Sequence, residues 1–384
     1  MLISRTDRGL FANWWFTVDR LLLTAFLLLM AAGVIINLAA SPPVAERLGY
    51  DAFHFFDRQL AYLVPAVTIL LATSLLDARQ VRRMALAVLL GGVALMVAAF
   101  LFGPEIKGAH RWIDIGPINI QPSEFVKVAF VVIAAWLLAE RARHPEMPGH
   151  VLAIVLFMVI VAMLVIQPDF GQTALMSLVF AVMLLVYGIP WVMILGLAGL
   201  GVAGLAIAYR FLPHVESRID RFLNPDKGDT FQVDTAIQAF RNGGVFGTGP
   251  GGGSAKQVLP DAHSDFIFSV LGEEYGLVAS MLLMGLFAFI VIRVLLRASE
   301  ERDPFAALAL TGLVAIFGFQ AVINMAVNVS LVPAKGMTLP FVSYGGSSLL
   351  AMAFAMGLVL VFGRRRPRVE PASPLAVGPL PSES

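Results

Sequence analysis

A chain of 384 residues in which 58% are hydrophobic and only 14% are charged does not have the composition of a soluble protein, and these proportions place it in a membrane. Its 27 Lys and Arg nearly balance its 26 Asp and Glu, so the net charge gives no support to nucleic-acid binding. The absence of cysteine excludes disulfides, thiol catalysis and Cys-based metal sites, and His54, His110, His144, His150, His214 and His263 are too scattered to hold a structural zinc.

In chain order, mostly polar residues with Arg5, Arg8 and Arg20 precede the first apolar run. That run is too long for a signal peptide and lacks a small-residue cleavage site, so it reads as a retained span. A bilayer core of roughly 30 Å needs about 20 apolar residues as helix. Runs near that length recur at 21–40, 59–76, 84–102, 122–139, 150–166, 172–188, 190–212, 268–296, 305–331 and 345–363. The expected fold is therefore all-α, a polytopic membrane protein of about ten transmembrane helices. An even number of spans puts both termini on one side. Arg5, Arg8, Arg20, Arg79, Arg82, Arg83, Arg141, Arg143, Arg293, Arg297, Arg302, Arg364, Arg365, Arg366 and Arg368 share that side, against Arg47, Arg58, Lys107, Arg111 and Lys335 in the short loops opposite. Both termini are then cytoplasmic.

The organisation that follows is a cytoplasmic segment at 1–20, a membrane domain at 21–363 and a disordered cytoplasmic tail at 364–384. One long extracytoplasmic loop, 213–267, joins spans seven and eight, and a loop of that length usually has a function. No fixed-period or inverted repeat of the transporter kind is visible.

Polar residues inside apolar runs are the functional candidates. Glu124 and Lys127 lie three residues apart in the fourth span, on one helix face, where they can pair; a structural ion pair is the alternative to a functional one. Pro122 suits the first turn of that helix. Asp169 follows Gln167-Pro168 and precedes Gly171, a position for a helix cap or a cavity wall. The long loop carries Arg218 to Pro225, Phe231-Gln232, the glycine-rich stretch from Gly243 to Gly249, and Leu259-Pro-Asp-Ala-His-Ser-Asp-Phe-Ile-Phe268. Gly247, Gly249 and Gly252 match a bare GxGxxG, but no strand precedes them and no Walker lysine follows. Flexible backbone near a ligand or the membrane surface suits them better than a nucleotide site.

Asp265 lies where the eighth span begins, beside Ser264 and before Phe266-Ile-Phe268. From spacing alone it is equally a proton acceptor at the junction of membrane and water or, with Ser264, an N-cap. The irregular stretch from Lys335 to Ser348 lies where a helix should be starting, which is tolerated only against protein or a water-filled cavity. Lys335 could meet an anionic headgroup or snorkel to the interface.

Together these segments resemble the SEDS family (shape, elongation, division and sporulation), the integral-membrane glycosyltransferases that include FtsW and RodA. The resemblance is carried by Arg111-Trp112, Gln121-Pro-Ser-Glu-Phe-Val-Lys127, Gln167-Pro-Asp-Phe-Gly171, Arg218 to Pro225, Pro260 to Phe268 with Gly272-Glu-Glu274, and Pro340-Phe-Val-Ser-Tyr-Gly-Gly-Ser-Ser348. Lys335-Gly336 and Thr338-Leu339-Pro340 ahead of Ser343-Tyr344 favour the FtsW-type division branch over the elongation branch. Asp261, Ser264 and Phe231 depart from the family's more frequent glutamate, threonine and tyrosine.

The resemblance implies polymerisation of lipid II into glycan strands with release of undecaprenyl pyrophosphate, at the septum of a bacterial inner membrane with the site facing the periplasm. It also implies Asp265 as the catalytic base, Glu124 and Lys127 as cavity residues, and Trp112 as a required tryptophan. Arg111, Lys127, Arg218, Arg241 and Lys335 become candidates to stabilise the leaving pyrophosphate, alone or beside a divalent cation such as Mg or Mn, whose ligands are unknown. Asp169, His263, Ser264, Ser343 and Tyr344 complete the expected cavity. The implied partners are a class B penicillin-binding transpeptidase of the FtsI type and other divisome proteins. A lipid II flippase, or a scaffold activating the transpeptidase, are the rival readings.

Overall fold

The fold is given by a computed structural model that describes residues 9–106, 108–116, 118–211, 216, 231–333 and 336–364. Its helices are α1 (Leu10–Thr17), α2 (Arg20–Arg47), α3 (His54–Ser74), α4 (Ala78–Phe102), α5 (Pro122–Arg143), α6 (Gly149–Ile166), α7 (Phe170–Tyr187) and α8 (Trp191–Phe211). They continue with α9 (Phe231–Gly243), α10 (Ala255–Val258), α11 (Ile267–Glu300), α12 (Pro304–Asn328) and α13 (Gly346–Phe362). A short antiparallel hairpin, β1 (Ile113–Ile115) and β2 (Ile118–Ile120), interrupts the helices before α5. Every apolar run read from the sequence overlaps one of these helices. By length and composition, 8 of these helices among the described residues can cross a membrane, and α13 is a shorter apolar one.

Local sequence sets where these helices begin. Asp19 accepts from the N–H groups of Leu21 and Leu22 at 3.1 and 3.2 Å, and Asp77 with Gln80 forms a capping box on α4. Pro122 and Pro304 occupy first-turn positions where a missing N–H costs nothing. Gly188, at φ 91°, ends α7 in the left-handed region that disfavours a Cβ.

The bundle has an inside and an outside. Most of α5, α12 and α13 is buried, whereas α3, α4, α6 and α11 turn most of their apolar length outward. Exposed Leu90, Val155 and Leu282 belong to that outer surface, which is apolar because lipid is its solvent. At one end the arginines tie helices together: Arg293 makes a bidentate contact with Asp19 at 2.9 and 3.0 Å, Arg143 pairs with Asp303, and Arg364 reaches the carbonyl of Ser74. The opposite end gathers the hairpin, the starts of α5, α7, α11 and α13, and the end of α12.

Three features differ from the expectations. The leading segment is not simply polar: α1 lies within it, and its Trp14 is buried with the indole N–H donating to Ser74 Oγ at 2.9 Å. The long loop contains α9 and α10. The eighth apolar run is a helix broken at Gly276, where φ is 76° and ψ is −172°. Arg218, Lys335 and nearly all of the 364–384 tail lie outside the described residues.

Candidate active site

A column of polar side chains runs from the middle of the bundle to the end that carries Asp265. At its base, Lys127 Nζ lies 2.7 Å from Glu124 Oε2, and both residues are almost wholly buried. The pair is not isolated. Lys127 donates to Gln320 Oε1 at 2.8 Å and reaches Gln172 Oε1 at 3.4 Å, while Gln172 Nε2 donates to the other carboxylate oxygen of Glu124. Three helices, α5, α7 and α12, are thus joined by groups that would each be expensive to bury alone.

On α12 the column continues through Gln320, Asn324 and Asn328, spaced four apart and therefore stacked on one face. Gln320 Nε2 donates to Thr338 O at 3.0 Å. Asn324 Nδ2 donates to Met337 O at 2.6 Å and to Asp265 O at 2.9 Å. Asn328 Nδ2 donates to the same Asp265 carbonyl at 2.9 Å. The amides occupy backbone acceptors in the irregular stretches before α11 and α13, where no helix supplies donors.

Asp265 sits in a turn rather than in a helix. Asp261, at φ 54°, accepts at its carbonyl from the N–H groups of Ser264, Asp265 and Phe266. The N-cap residue of α11 is Phe266, and the Ser264 hydroxyl donates to the Asp261 carbonyl at 3.3 Å. Asp265 is half-buried. Around it, Ser343 Oγ donates to Ser264 O at 2.5 Å and accepts from Leu339 N–H at 2.7 Å, and Tyr344 N–H donates to His263 O at 2.9 Å. The His263 ring stacks on Phe55 with centroids 4.3 Å apart and lies against Tyr344. Burial pushes the Tyr344 hydroxyl above its ordinary pKa, opposed by the Arg58 guanidinium that hydrogen-bonds it.

Arg111 and Asp169 meet beside the hairpin, with Nη1 3.7 Å from Oδ1. Asp169 also accepts from Gln121 Nε2 at 3.1 Å and from the Gln172 N–H at 3.3 Å, so it caps α7 while holding the start of α5. Burial raises its carboxyl pKa and Arg111 opposes that shift. The guanidinium Nε of Arg111 has no hydrogen-bond partner among the described residues. Half-buried Trp112 follows, its carbonyl packed against Gly103. Arg241 is exposed on α9, and no described hydrogen bond or ion pair joins it to Asp265.

Thus Asp265, His263, Ser264, Ser343 and Tyr344 come together as one cluster; Glu124, Lys127, Asp169 and Arg111 form a second beneath and beside it, with Gln172 and Gln320 between. Gln172, Gln320, Asn324 and Asn328 were missed by the sequence reading. For the last three a signal was available: uncharged amides at four-residue spacing in an apolar helix. Among the described residues no group of three His, Cys, Asp or Glu side chains could hold a metal ion.

The order and geometry of these segments coincide with a known family. A family model described as "Cell cycle protein", covering FtsW, RodA and SpoVE, matches residues 19–366. This chain belongs to that family. Over 371 residues it is 45% identical to a probable peptidoglycan glycosyltransferase FtsW of Caulobacter vibrioides, covering 96% of this chain and 95% of the relative. A relative of the same name from Geobacter metallireducens is 35% identical over 350 residues, covering 89% and 93%. Among solved structures, a chain of a peptidoglycan synthase complex that coordinates polymerization and crosslinking superposes with a TM-score of 0.76 at 26% identity, over 91% of this chain and 98% of that one. The rod shape determining protein RodA of Thermus thermophilus gives 0.66 at 27% identity, over 91% and 97%. The long helices and the carboxylate-bearing turn both fall inside the matched region.

Proposed function

We propose that this member of the FtsW/RodA/SpoVE family is a peptidoglycan glycosyltransferase that polymerises lipid II during septal wall synthesis. The observation that carries the reading is the Asp265 turn: a half-buried carboxylate whose backbone is held by Asn324 and Asn328, at the head of a polar column in an apolar bundle. In the reaction the acceptor sugar's 4-hydroxyl oxygen attacks the anomeric carbon of the donor. Asp265 takes the hydroxyl proton as the C–O bond forms. The bond from that carbon to the pyrophosphate oxygen breaks, and undecaprenyl pyrophosphate leaves with the electron pair. Attack from the face opposite the leaving group inverts the donor's α-configuration to a β-linkage.

Cationic help for the leaving group falls first to Arg111, which has an unused Nε and faces only one carboxylate. Lys127 is engaged by Glu124, Gln320 and Gln172, so its role is to hold the column together. The proposal includes a membrane domain over 21–363, cytoplasmic termini, a site on the periplasmic face of the inner membrane and a class B transpeptidase beside it.

The test is polymer formation from lipid II by the full chain purified with its transpeptidase, comparing wild type with Asp265→Asn. Polymer from the first and none from a folded second is the expected result. Equal polymer from both overturns Asp265 as the base. No polymer from either beside an active control polymerase overturns the glycosyltransferase reading in favour of lipid transport or scaffolding.

A further inference from the structure

The break in α11 frees backbone groups inside the protein, and they must be satisfied there. The glycine-rich segment satisfies them. Thr248 and Gly249 donate their N–H groups to the carbonyls of Glu273 and Glu274 at 2.9 and 3.0 Å, and Leu277 and Val278 donate to Gly244 and Val245 at 3.0 and 3.2 Å. A Cβ on Gly247 would overlap the Glu274 carbonyl, so this docking requires glycine. Gly247 therefore faces α11.

The side chains of the same two glutamates grip the chain further along. Glu273 Oε1 accepts from Asn242 Nδ2 at 3.1 Å and from Ser254 N–H at 3.0 Å, and its Oε2 accepts from Ala255 N–H at 3.0 Å. Glu274 accepts from Gly251 N–H at 3.1 Å and pairs with Lys256, which also donates to Ala39 O at 3.2 Å. All three charged residues are at most 5% exposed. From Lys256 the chain runs through Leu259, whose carbonyl is held by Arg47 at 2.8 Å, directly into the turn that carries Asp265. That turn is also the head of the short helical segment Ile267–Tyr275, so Asp265 hangs between two strands of connection that meet at the same carboxylates.

We propose that Glu273, Glu274 and Lys256 are positioning residues for the reaction, a charged latch that fixes the turn bearing Asp265. The inference rests on the glycosyltransferase reading for its kinetic arm alone. Charge-assisted bonds to backbone N–H groups are short and directional, which suits an element whose error in placement is transmitted to a reacting atom.

The test uses the full chain with its transpeptidase and compares wild type with Lys256→Met, Glu274→Gln, the double K256M/E274Q, and Lys256→Arg. The double variant removes both charges together, so it folds even where one unpaired buried charge prevents folding. Folded variants other than Lys256→Arg are expected to lose roughly tenfold to a hundredfold in kcat on lipid II with little change in KM. Lys256→Arg should recover most of the rate, and the double variant should lose no more than the worse single. Hydrogen exchange supplies a readout independent of activity: the N–H groups of Ser264, Asp265 and Phe266 should exchange faster in the latch variants. Wild-type kcat per folded molecule together with unchanged exchange in the turn overturns the proposal. If wild type makes no polymer, the functional reading falls, and unchanged exchange would still overturn the latch separately.

Discussion

Asn328 lies with its Nδ2 2.9 Å from the carbonyl oxygen of Asp265, while its own Oδ1 accepts from the N–H and hydroxyl of Ser269 at 3.0 and 2.6 Å. One buried amide therefore holds the turn that leads into α11 and the first turn of α11 at once. Replacing it with leucine keeps the volume but strands the Ser269 donors, at a cost of about 1–3 kcal/mol for a buried unsatisfied group. Asn328→Leu should lower the unfolding midpoint and also lower kcat in the fraction that remains folded. Thermal unfolding and polymer assays on the same preparation check this, and full activity per folded molecule would mean that the amide serves stability alone.

Glu124 and Lys127 give a second prediction. Removing one member leaves a buried charge uncompensated, and roughly 3–5 kcal/mol is the usual cost. Lys127→Met and Glu124→Gln should each destabilise strongly, while the double variant should recover much of the loss because no buried charge is left unpaired and Gln172 can still donate to the side chain at 124. A double-mutant cycle on unfolding midpoints measures the coupling. Additive losses would show that the contact at 2.7 Å contributes little beyond its separate parts.

Gly247 and Gly249 look alike in sequence and both have positive φ, at 85° and 93°. Only the first faces a wall: a Cβ there would overlap the backbone of Glu274 and Tyr275, whereas one on Gly249 would meet nothing. Gly249→Ala should cost only the left-handed penalty of roughly 1–2 kcal/mol. Gly247→Ala should cost clearly more, because α11 or the loop has to move. Unfolding midpoints of the two variants decide it, and equal losses would mean the loop yields without resistance.

How far the sequence disclosed this arrangement depends on the physics of each element. The long helices were legible because about 20 consecutive apolar residues have few alternatives in a bilayer. α1 was not, since Leu10–Thr17 is too short to show a period and its Trp14 is buried by contact with α3. The break at Gly276 was hidden within an apolar run, where glycine is common and only the docking of Val245 and Gly247 reveals its conformation. Glu124 and Lys127 were visible as charges in an apolar run. Asn324 and Asn328 carry no charge and so do not stand out within their run. The Lys256–Glu274 pair joins residues eighteen apart across a loop, and no local spacing rule reports such a contact.

Asp169 yields a prediction with a definite sign. Burial raises its carboxyl pKa above the ordinary value, with Arg111 opposing and the Gln172 N–H bond lowering it. The folded state therefore holds the proton more tightly than the unfolded state does. Its contribution is fully present below the unfolded value of about 4 and is lost as pH rises through the higher folded value. Asp169→Asn resembles the protonated form and can still accept from the Gln172 N–H. The unfolding midpoint of Asp169→Asn relative to wild type should accordingly rise as pH is raised from about 4 toward neutrality. Thermal unfolding of both proteins across that range is the measurement. A difference that instead shrinks with rising pH would mean that the ion pair with Arg111, at 3.7 Å, outweighs the burial of the carboxylate.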